Sequence, residues 1–296
     1  MGSGRAKINV QLEQLNQVYA ENPNLSRILG LYRLLLLSRE KLEEDPSKGT
    51  SISLSEDFIK ALQEEAKKAG KPITYLLKGN IFRPEAILET IELIVDALTK
   101  YDIDGRLQIL PTLLREDQAS LIKLLDAALR NNEEVLEELS SRFNQDPKVL
   151  SLIINTSLQP LLEELVRKVD QRFLEEYFRT SCPICGRKPV VAKLKEKKKY
   201  LVCPLCGAEY RVEQLLCVNC GNRDPETLGF LFHEGDPGVR IDVCTRCKHY
   251  VKVINEDRVR TYIPNGLEDI LTRELDEIAK AKGFNAPIRE ASRSST

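Results

Sequence analysis

Apolar residues recur at three- and four-residue intervals along most of the first 178 positions, the period of amphipathic helices. Ile8, Leu12, Leu15 and Tyr19 set a first stripe, which Asn22-Pro23-Asn24 interrupts. Ile28, Leu31, Leu35 and Leu42 mark the inner face of a second helix, closed by Asp45-Pro46. Ser53 with Glu56 three residues later is a capping-box signature. It opens a helix with Phe58, Leu62 and Ala66 inward and Gly70 at its end. Pro84 suits the first turn of a longer helix through Ile87, Ile91, Ile94 and Leu98. Asp117 is placed to cap the next, with Leu121, Leu124, Leu125 and Ala128 inward. A short helix follows around Val135–Phe143. A long one then spans about Val149 to Phe178, with Pro160 as a kink or break.

From Thr180 the period changes. Strand-like alternation marks Val190–Leu194, Tyr200–Val202, Glu209–Val212, Phe230–Phe232, Val239–Val243 and Tyr250–Ile254. Lys193 to Lys199 reads as the solvated, charged tip of a hairpin. After Asp257 the helical period returns through Leu267, Ile270, Leu271, Leu275 and Ile278, and Gly283 stops it. A polar tail follows Pro287. The fold class is multidomain α+β. An all-helical domain over 1–178 precedes two small β modules over 179–213 and 214–256, each with its own antiparallel sheet, and a C-terminal helix and tail occupy 257–296.

The chemistry is concentrated in the β region. All eight cysteines lie in C-x-x-C pairs: Cys182–Cys185, Cys203–Cys206, Cys217–Cys220 and Cys244–Cys247. Such a pair is a knuckle that grips one metal ion from one side, and two knuckles complete the tetrahedral all-sulfur shell favoured by zinc and iron. Seventeen residues separate Cys185 from Cys203, and 23 separate Cys220 from Cys244. Both loops suit a β-hairpin, so tandem pairing is the simplest assignment. An interleaved scheme, first knuckle with third and second with fourth, is the alternative. Gly186, Gly207 and Gly221 follow three knuckles and Lys248 the fourth, so the fourth turn is expected to be strained or differently closed. Disulfides are a weak reading, because the chain shows no secretory signature and is long enough to bury a core without staples. Redox-active dithiols are the other alternative, and four such pairs at hairpin spacing favour metal over them. His233 and His249 fall in the same region but are not needed where eight sulfurs already complete two sites.

Charge narrows the function further. The chain holds 44 basic and 45 acidic residues, a net charge of −1. The segment from Cys182 to Lys252 carries 13 basic and 8 acidic side chains. That excess compensates two anionic tetrathiolate sites and leaves no surplus for a phosphate backbone. No uninterrupted apolar run reaches the ~18 residues that mark a spanning helix. A cytoplasmic protein without membrane insertion and without nucleic acid as a partner is expected. The helical stripes hold no catalytic constellation, and four thiolates leave no open metal position, so no enzyme activity is expected.

The order of these parts resembles the FdhE-type formate dehydrogenase accessory proteins. The residues that carry the resemblance begin with Cys182-Pro183-Ile184-Cys185-Gly186, Pro189 and Tyr200-Leu201 leading into Cys203. They continue with Cys217-Val218-Asn219-Cys220-Gly221, Cys244-Thr245-Arg246-Cys247, Tyr250-Val251-Lys252 and the closing helix from Leu267 to Phe284. It covers about residues 180–285, and the helical region is similar in architecture only. The stretch from Asn222 to Pro237 is longer than the family's usual link. The resemblance implies two rubredoxin-like modules able to hold iron. It also implies a non-enzymatic role in maturing molybdenum- or tungsten-dependent formate dehydrogenase, with the catalytic subunit as partner. Tyr250 and Lys252 are candidates to contact that subunit. A rubredoxin-like electron-transfer or redox-sensing protein is the alternative, and a zinc-ribbon nucleic-acid binder is disfavoured by the charge balance. Iron and zinc both accept this shell, and the sequence sets no oligomeric state.

Overall fold

The structure is a computed structural model that describes residues 3–26, 29–34, 36–37, 55–77, 84–100, 105–233, 235–260 and 263–287. Its helices are α1 (Ser3–Glu21), α2 (Glu56–Ala69), α3 (Ile73–Leu76), α4 (Pro84–Thr99), α5 (Leu110–Glu116), α6 (Gln118–Arg130), α7 (Glu133–Arg142), α8 (Pro147–Lys168) and α9 (Gln171–Glu175). Strands β1 (Val191–Lys195), β2 (Lys198–Val202), β3 (Glu209–Val212), β4 (Leu228–Phe232), β5 (Val239–Cys244) and β6 (His249–Asn255) follow. Helices α10 (Glu268–Leu271) and α11 (Arg273–Ala281) close the chain. Two compact units emerge: residues 1–53 with 78–164, and residues 54–77 with 165–296. Helices α2 and α3, which the hydrophobic pattern groups with the helical region, thus belong with the sheet.

The first unit is helical and its stripes are core. Ile87, Ile91, Ile94 and Leu98 of α4 and Leu121, Leu124, Leu125 and Ala128 of α6 are all buried. Asp117 caps α6 by accepting a 3.0 Å bond from the Ser120 N–H. Helix α8 is long and apolar enough to cross a membrane by length and composition. Here Leu150, Ile153, Ile154, Leu158, Leu161 and Leu162 bury that surface as protein core. Of the kink or break expected at Pro160, the break is absent: the proline lies inside a continuous helix. A mid-helix proline costs about 3 kcal/mol, whereas each of these neighbouring leucines gains about 2 kcal/mol by burial. The break comes instead at Asp170, whose carboxylate accepts from the Arg172 N–H and starts α9. The second predicted helix lies partly outside the described residues: Ile28, Leu35, Leu42 and Asp45-Pro46 are not among them. Ser53 is not described either, and Ser55 is the cap of α2, accepting from the Phe58 N–H. That shifts the buried face to Ile59, Leu62 and Ala66 and leaves Phe58 exposed.

In the second unit the six strands form one sheet of order β3-β2-β1-β6-β5-β4. Neighbours are antiparallel except β1 and β6, which pair in parallel from Val191 opposite Lys252 to Leu194 opposite Asn255. This pairing fuses the two cysteine-bearing hairpin sets, so they are halves of one sheet instead of carrying separate sheets. One face packs Val191, Ile241, Val243, Tyr250 and Ile254 against Leu275 and Ala279 of α11.

The hairpin tip between β1 and β2 is narrower than predicted. Only Glu196 and Lys197, both at positive φ, make the turn. Lys193 and Lys199 are buried. Lys193 lies 2.8 Å from Glu209 and 2.9 Å from Glu268, and Lys199 lies 2.7 Å from Asp242. Burial alone would push the Lys193 ammonium down, but Glu268 and Glu209 outweigh it and hold it above its ordinary value. Burial likewise pushes the Glu209 carboxyl up, and Lys193 with Lys195 outweighs it and holds it down. A carboxylate depressed in the folded state stabilises above its unfolded-state pKa and loses that contribution as pH falls through the folded value. Glu209→Gln is therefore expected to destabilise the protein by about 2 kcal/mol at pH 7. Urea unfolding of variant and parent side by side should show that difference shrinking to nothing in acid.

Candidate metal centres

Each knuckle is a backbone turn closed by hydrogen bonds. Gly186 N donates to Cys182 O, Gly207 N to Cys203 O, Gly221 N to Cys217 O and Lys248 N to Cys244 O, at 2.9 to 3.1 Å. The turn geometry requires positive φ at the donor residue. Gly186 sits at +75° and Lys248, the non-glycine, at +58°. The fourth turn is thus closed like the others, with a lysine held in left-handed backbone that costs of order 1 kcal/mol. The C-terminal segment secures it: Asn285 N donates to Lys248 O at 2.8 Å, and Tyr250 N donates to Asn285 O at 3.0 Å.

The sulfurs gather as first knuckle with second and third with fourth. Cys182, Cys185, Cys203 and Cys206 have all Sγ atoms within 4.8 Å of one another, and so do Cys217, Cys220, Cys244 and Cys247. In the first group Cys182 and Cys206 lie 3.5 Å apart and Cys185 and Cys203 3.4 Å. In the second, Cys217 and Cys247 lie 3.5 Å apart and Cys220 and Cys244 3.9 Å. A disulfide would bring them to ~2.05 Å, and none of the eight is disulfide-bonded. Four sulfurs around a tetrahedral ion with metal–sulfur bonds of ~2.3 Å sit ~3.8 Å apart. The donor set therefore fits a tetrathiolate-bound ion at each place.

Electrostatics give the same fit. Burial pushes the Cys182 and Cys206 thiols up, while hydrogen bonds from Cys182, Cys203 and Cys206 pull Cys185 down. Four crowded sulfurs cannot all ionise without a cation to offset them. In the second group burial raises Cys217, whereas the backbone amide of Cys247 and the side chain of Asn222 outweigh burial at Cys244 and lower it to about 7.

The two centres differ in their surroundings. All four cysteines of the first are buried. In the second, Cys220 is exposed and Cys247 only half-buried. The first knuckle is also braced by α3, since Ile73 N and Thr74 N donate to Pro183 O and Ile184 O, each at 2.9 Å. A Cβ on Gly186 would lie 2.9 Å from the Pro72 side chain, but on Gly207 or Gly221 it would meet nothing within 4 Å. Helix α3 carries no cysteine and no motif, so sequence reasoning had no signal for its part in the site.

The candidate contact residues are placed inside. Tyr250 is 3% exposed and Lys252 is fully buried. Tyr250 Oη donates to Asp276 at 2.6 Å, and Lys252 Nζ lies 2.6 Å from Asp269 and 2.9 Å from Asp276. They bind β6 to α10 and α11 instead of facing a partner, because the C-terminal helices cover that face. His249 Nδ1 lies 2.6 Å from Cys247 O, and His233 Nδ1 accepts from Asp236 N at 3.1 Å.

A helical unit joined to a mixed sheet with paired four-cysteine knuckles defines a class of twin-centre α+β proteins. No family model matches the chain. It is 29% identical over 159 residues to a protein FdhE homolog of Aquifex aeolicus, covering 51% of this chain and 56% of that one. It is 27% identical over 192 residues to an FdhE homolog of Shewanella sp. strain MR-4, covering 60% and 62%. To an FdhE homolog of Haemophilus ducreyi it is 24% identical over 213 residues, covering 71% and 66%. The matches thus span between 56% and 66% of these relatives. The crystal structure of the FdhE protein from Pseudomonas aeruginosa shares the fold, with TM-score 0.65, 19% identity and coverage of 100% and 99%. In sequence the chain is thus similar to FdhE homologues, and it shares the fold of the FdhE protein.

Two outcomes follow from this geometry. The exposed centre should give up metal to a competing chelator at least tenfold faster than the buried one, with Cys220 the first cysteine alkylated by iodoacetamide, as mass spectrometry would register. Gly186→Ala should destabilise more than Gly207→Ala or Gly221→Ala in thermal unfolding of the metal-loaded protein. The latter two face only the cost of left-handed backbone, about 1–2 kcal/mol.

Proposed function

We propose that this protein is an accessory factor, without catalytic activity of its own, for maturing a molybdenum- or tungsten-dependent formate dehydrogenase in the cytoplasm. It would bind the catalytic subunit through a surface built on two four-cysteine metal centres. The reading is carried by the coincidence of two clustered four-cysteine groups with similarity to FdhE homologues. The eight cysteines Cys182, Cys185, Cys203, Cys206, Cys217, Cys220, Cys244 and Cys247 are the ligands in this proposal, with iron or zinc as the ion. Four thiolates saturate a tetrahedral ion, which supports a structural role over Lewis-acid chemistry. Metal binding and folding of the sheet are then one process. A factor that binds the immature subunit better than the mature one shifts the client's equilibrium by mass action.

The exposure of Cys220 favours one second reading, in which iron in the second centre exchanges electrons with a partner at the surface. The metal and its reduction behaviour separate the two. Colourless zinc after anaerobic, iron-replete production removes electron transfer. The maturation reading is tested by pull-down of the catalytic subunit before cofactor insertion. Wild-type protein should capture it, and the double variant Cys182→Ser/Cys203→Ser should lose metal from the first centre and bind at least tenfold more weakly. Absence of capture in every cofactor and redox state of the subunit would sink the proposal.

A further inference from the structure

Strand β4 ends the sheet, and its sequence Leu228-Gly229-Phe230-Leu231-Phe232 carries no charge. The opposite edge, β3, packs against α9, whereas β4 has its substantial packing with β5 among the described elements. Thr245 N donates to Thr227 O at 2.9 Å, which makes Thr227 and Thr245 a hydrogen-bonded pair of the antiparallel ladder. The register places Leu228, Phe230 and Phe232 opposite Cys244, Asp242 and Arg240. Because bonded and non-bonded pairs alternate, the N–H and C=O groups of these three residues point away from β5. No described strand pairs with that side.

The side chains along the edge are equally open. Phe230 is 55% exposed and Phe232 65%, their rings in edge-to-face contact 5.1 Å apart. Beside them, on the same face, lies a cavity of about 200 Å³ that reaches Leu215, Leu216 and Val218 next to the third knuckle. Leu215 is itself 55% exposed. Arg240 stacks over Phe230 at 5.3 Å and bonds Asp242, which in turn pairs with buried Lys199. The polar groups at the floor of the cavity are thus already matched, and what remains open is apolar surface and backbone.

We propose that β4 is a strand-addition site, taking an extended polypeptide segment with alternating apolar side chains that pairs with Leu228, Phe230 and Phe232 and seats one side chain in the cavity beside the second metal centre. Outward amides in this array are satisfied by another extended backbone, and natural edge strands left unpaired usually carry charge or proline, which β4 lacks. A second copy of this chain is the weaker occupant. Pairing five residues edge to edge covers on the order of a few hundred Å², below the ~1,200 Å² of specific interfaces. A peptide uses both the edge and the adjoining cavity. The inference deepens the maturation reading by naming its contact surface, and rests on that reading only for whose segment is bound.

The test uses the full-length, metal-loaded protein and a fluorescent octapeptide of alternating valine and threonine. Saturable binding is expected, with hydrogen exchange slowed at the amides of Leu228, Phe230 and Phe232. N-methylation of alternate peptide amides should weaken binding at least tenfold. So should Phe230→Pro, which removes an outward N–H while sparing the β5 ladder, and Phe230→Lys/Phe232→Lys. Metal content and circular dichroism identify any variant that misfolds, and the peptide-methylation and exchange arms need no variant. Absence of peptide binding, or binding indifferent to N-methylation, overturns the proposal. So does a wild-type dimer that Phe230→Pro disperses. Peptide binding by a protein that never captures the catalytic subunit leaves this site standing and removes the maturation reading.

Discussion

Four sulfurs confined within 4.8 Å of one another are stable as thiolates only around a cation, and the sheet unit is arranged about that constraint twice. Two knuckles close hairpins and two lead into strands, so whatever fixes the sulfurs also fixes the strands beside them. The first group collects the turn before β1 and the turn between β2 and β3. The second collects the turn before β4 and the β5–β6 turn. A bound ion would therefore couple metal binding to the folding of each hairpin set.

The two halves become one body through β1 and β6, the parallel pair at the middle of the sheet. Around that seam the chain buries three lysines. Lys193 and Lys252 face the C-terminal helices and meet Glu268, Asp269 and Asp276, whereas Lys199 meets Asp242 on the other face. Buried ammonium groups are tolerable only when paired. The Lys193 and Lys252 pairs therefore specify which helix covers which strand, and the Lys199 pair ties β2 to β5. One face of the sheet is closed in this way, and the open part of the other adjoins β4 and the second centre. The asymmetry between a buried, braced centre and a partly exposed one follows from the same layout.

Much of this was legible in the sequence. The spacing of the cysteines located both four-cysteine groups, and the alternation from Val190 to Ile254 located the six described strands within a residue or two. What it could not show was non-local. Parallel pairing of β1 with β6 joins residues some sixty positions apart with no turn between them to signal it. Lys193, Lys199 and Lys252 look like surface residues until their partners, contributed by distant segments, are brought in. Tyr250 and Lys252 were misplaced on the surface for that reason. The bracing of the first knuckle by Ile73 and Thr74 uses backbone groups, which leave no side-chain pattern. The break signalled by Pro160 was overridden by the burial of neighbouring leucines, and the cap of α2 falls on Ser55.

The account rests on the eight sulfurs holding two ions, and X-ray absorption at the metal edge, with quantitative metal analysis, tests that most directly. Protein prepared anaerobically should contain two metal ions per chain, each with four sulfur neighbours at ~2.3 Å and no nitrogen or oxygen shell. One ion or none, a mixed shell, or cysteines recovered as disulfides from folded protein would contradict it.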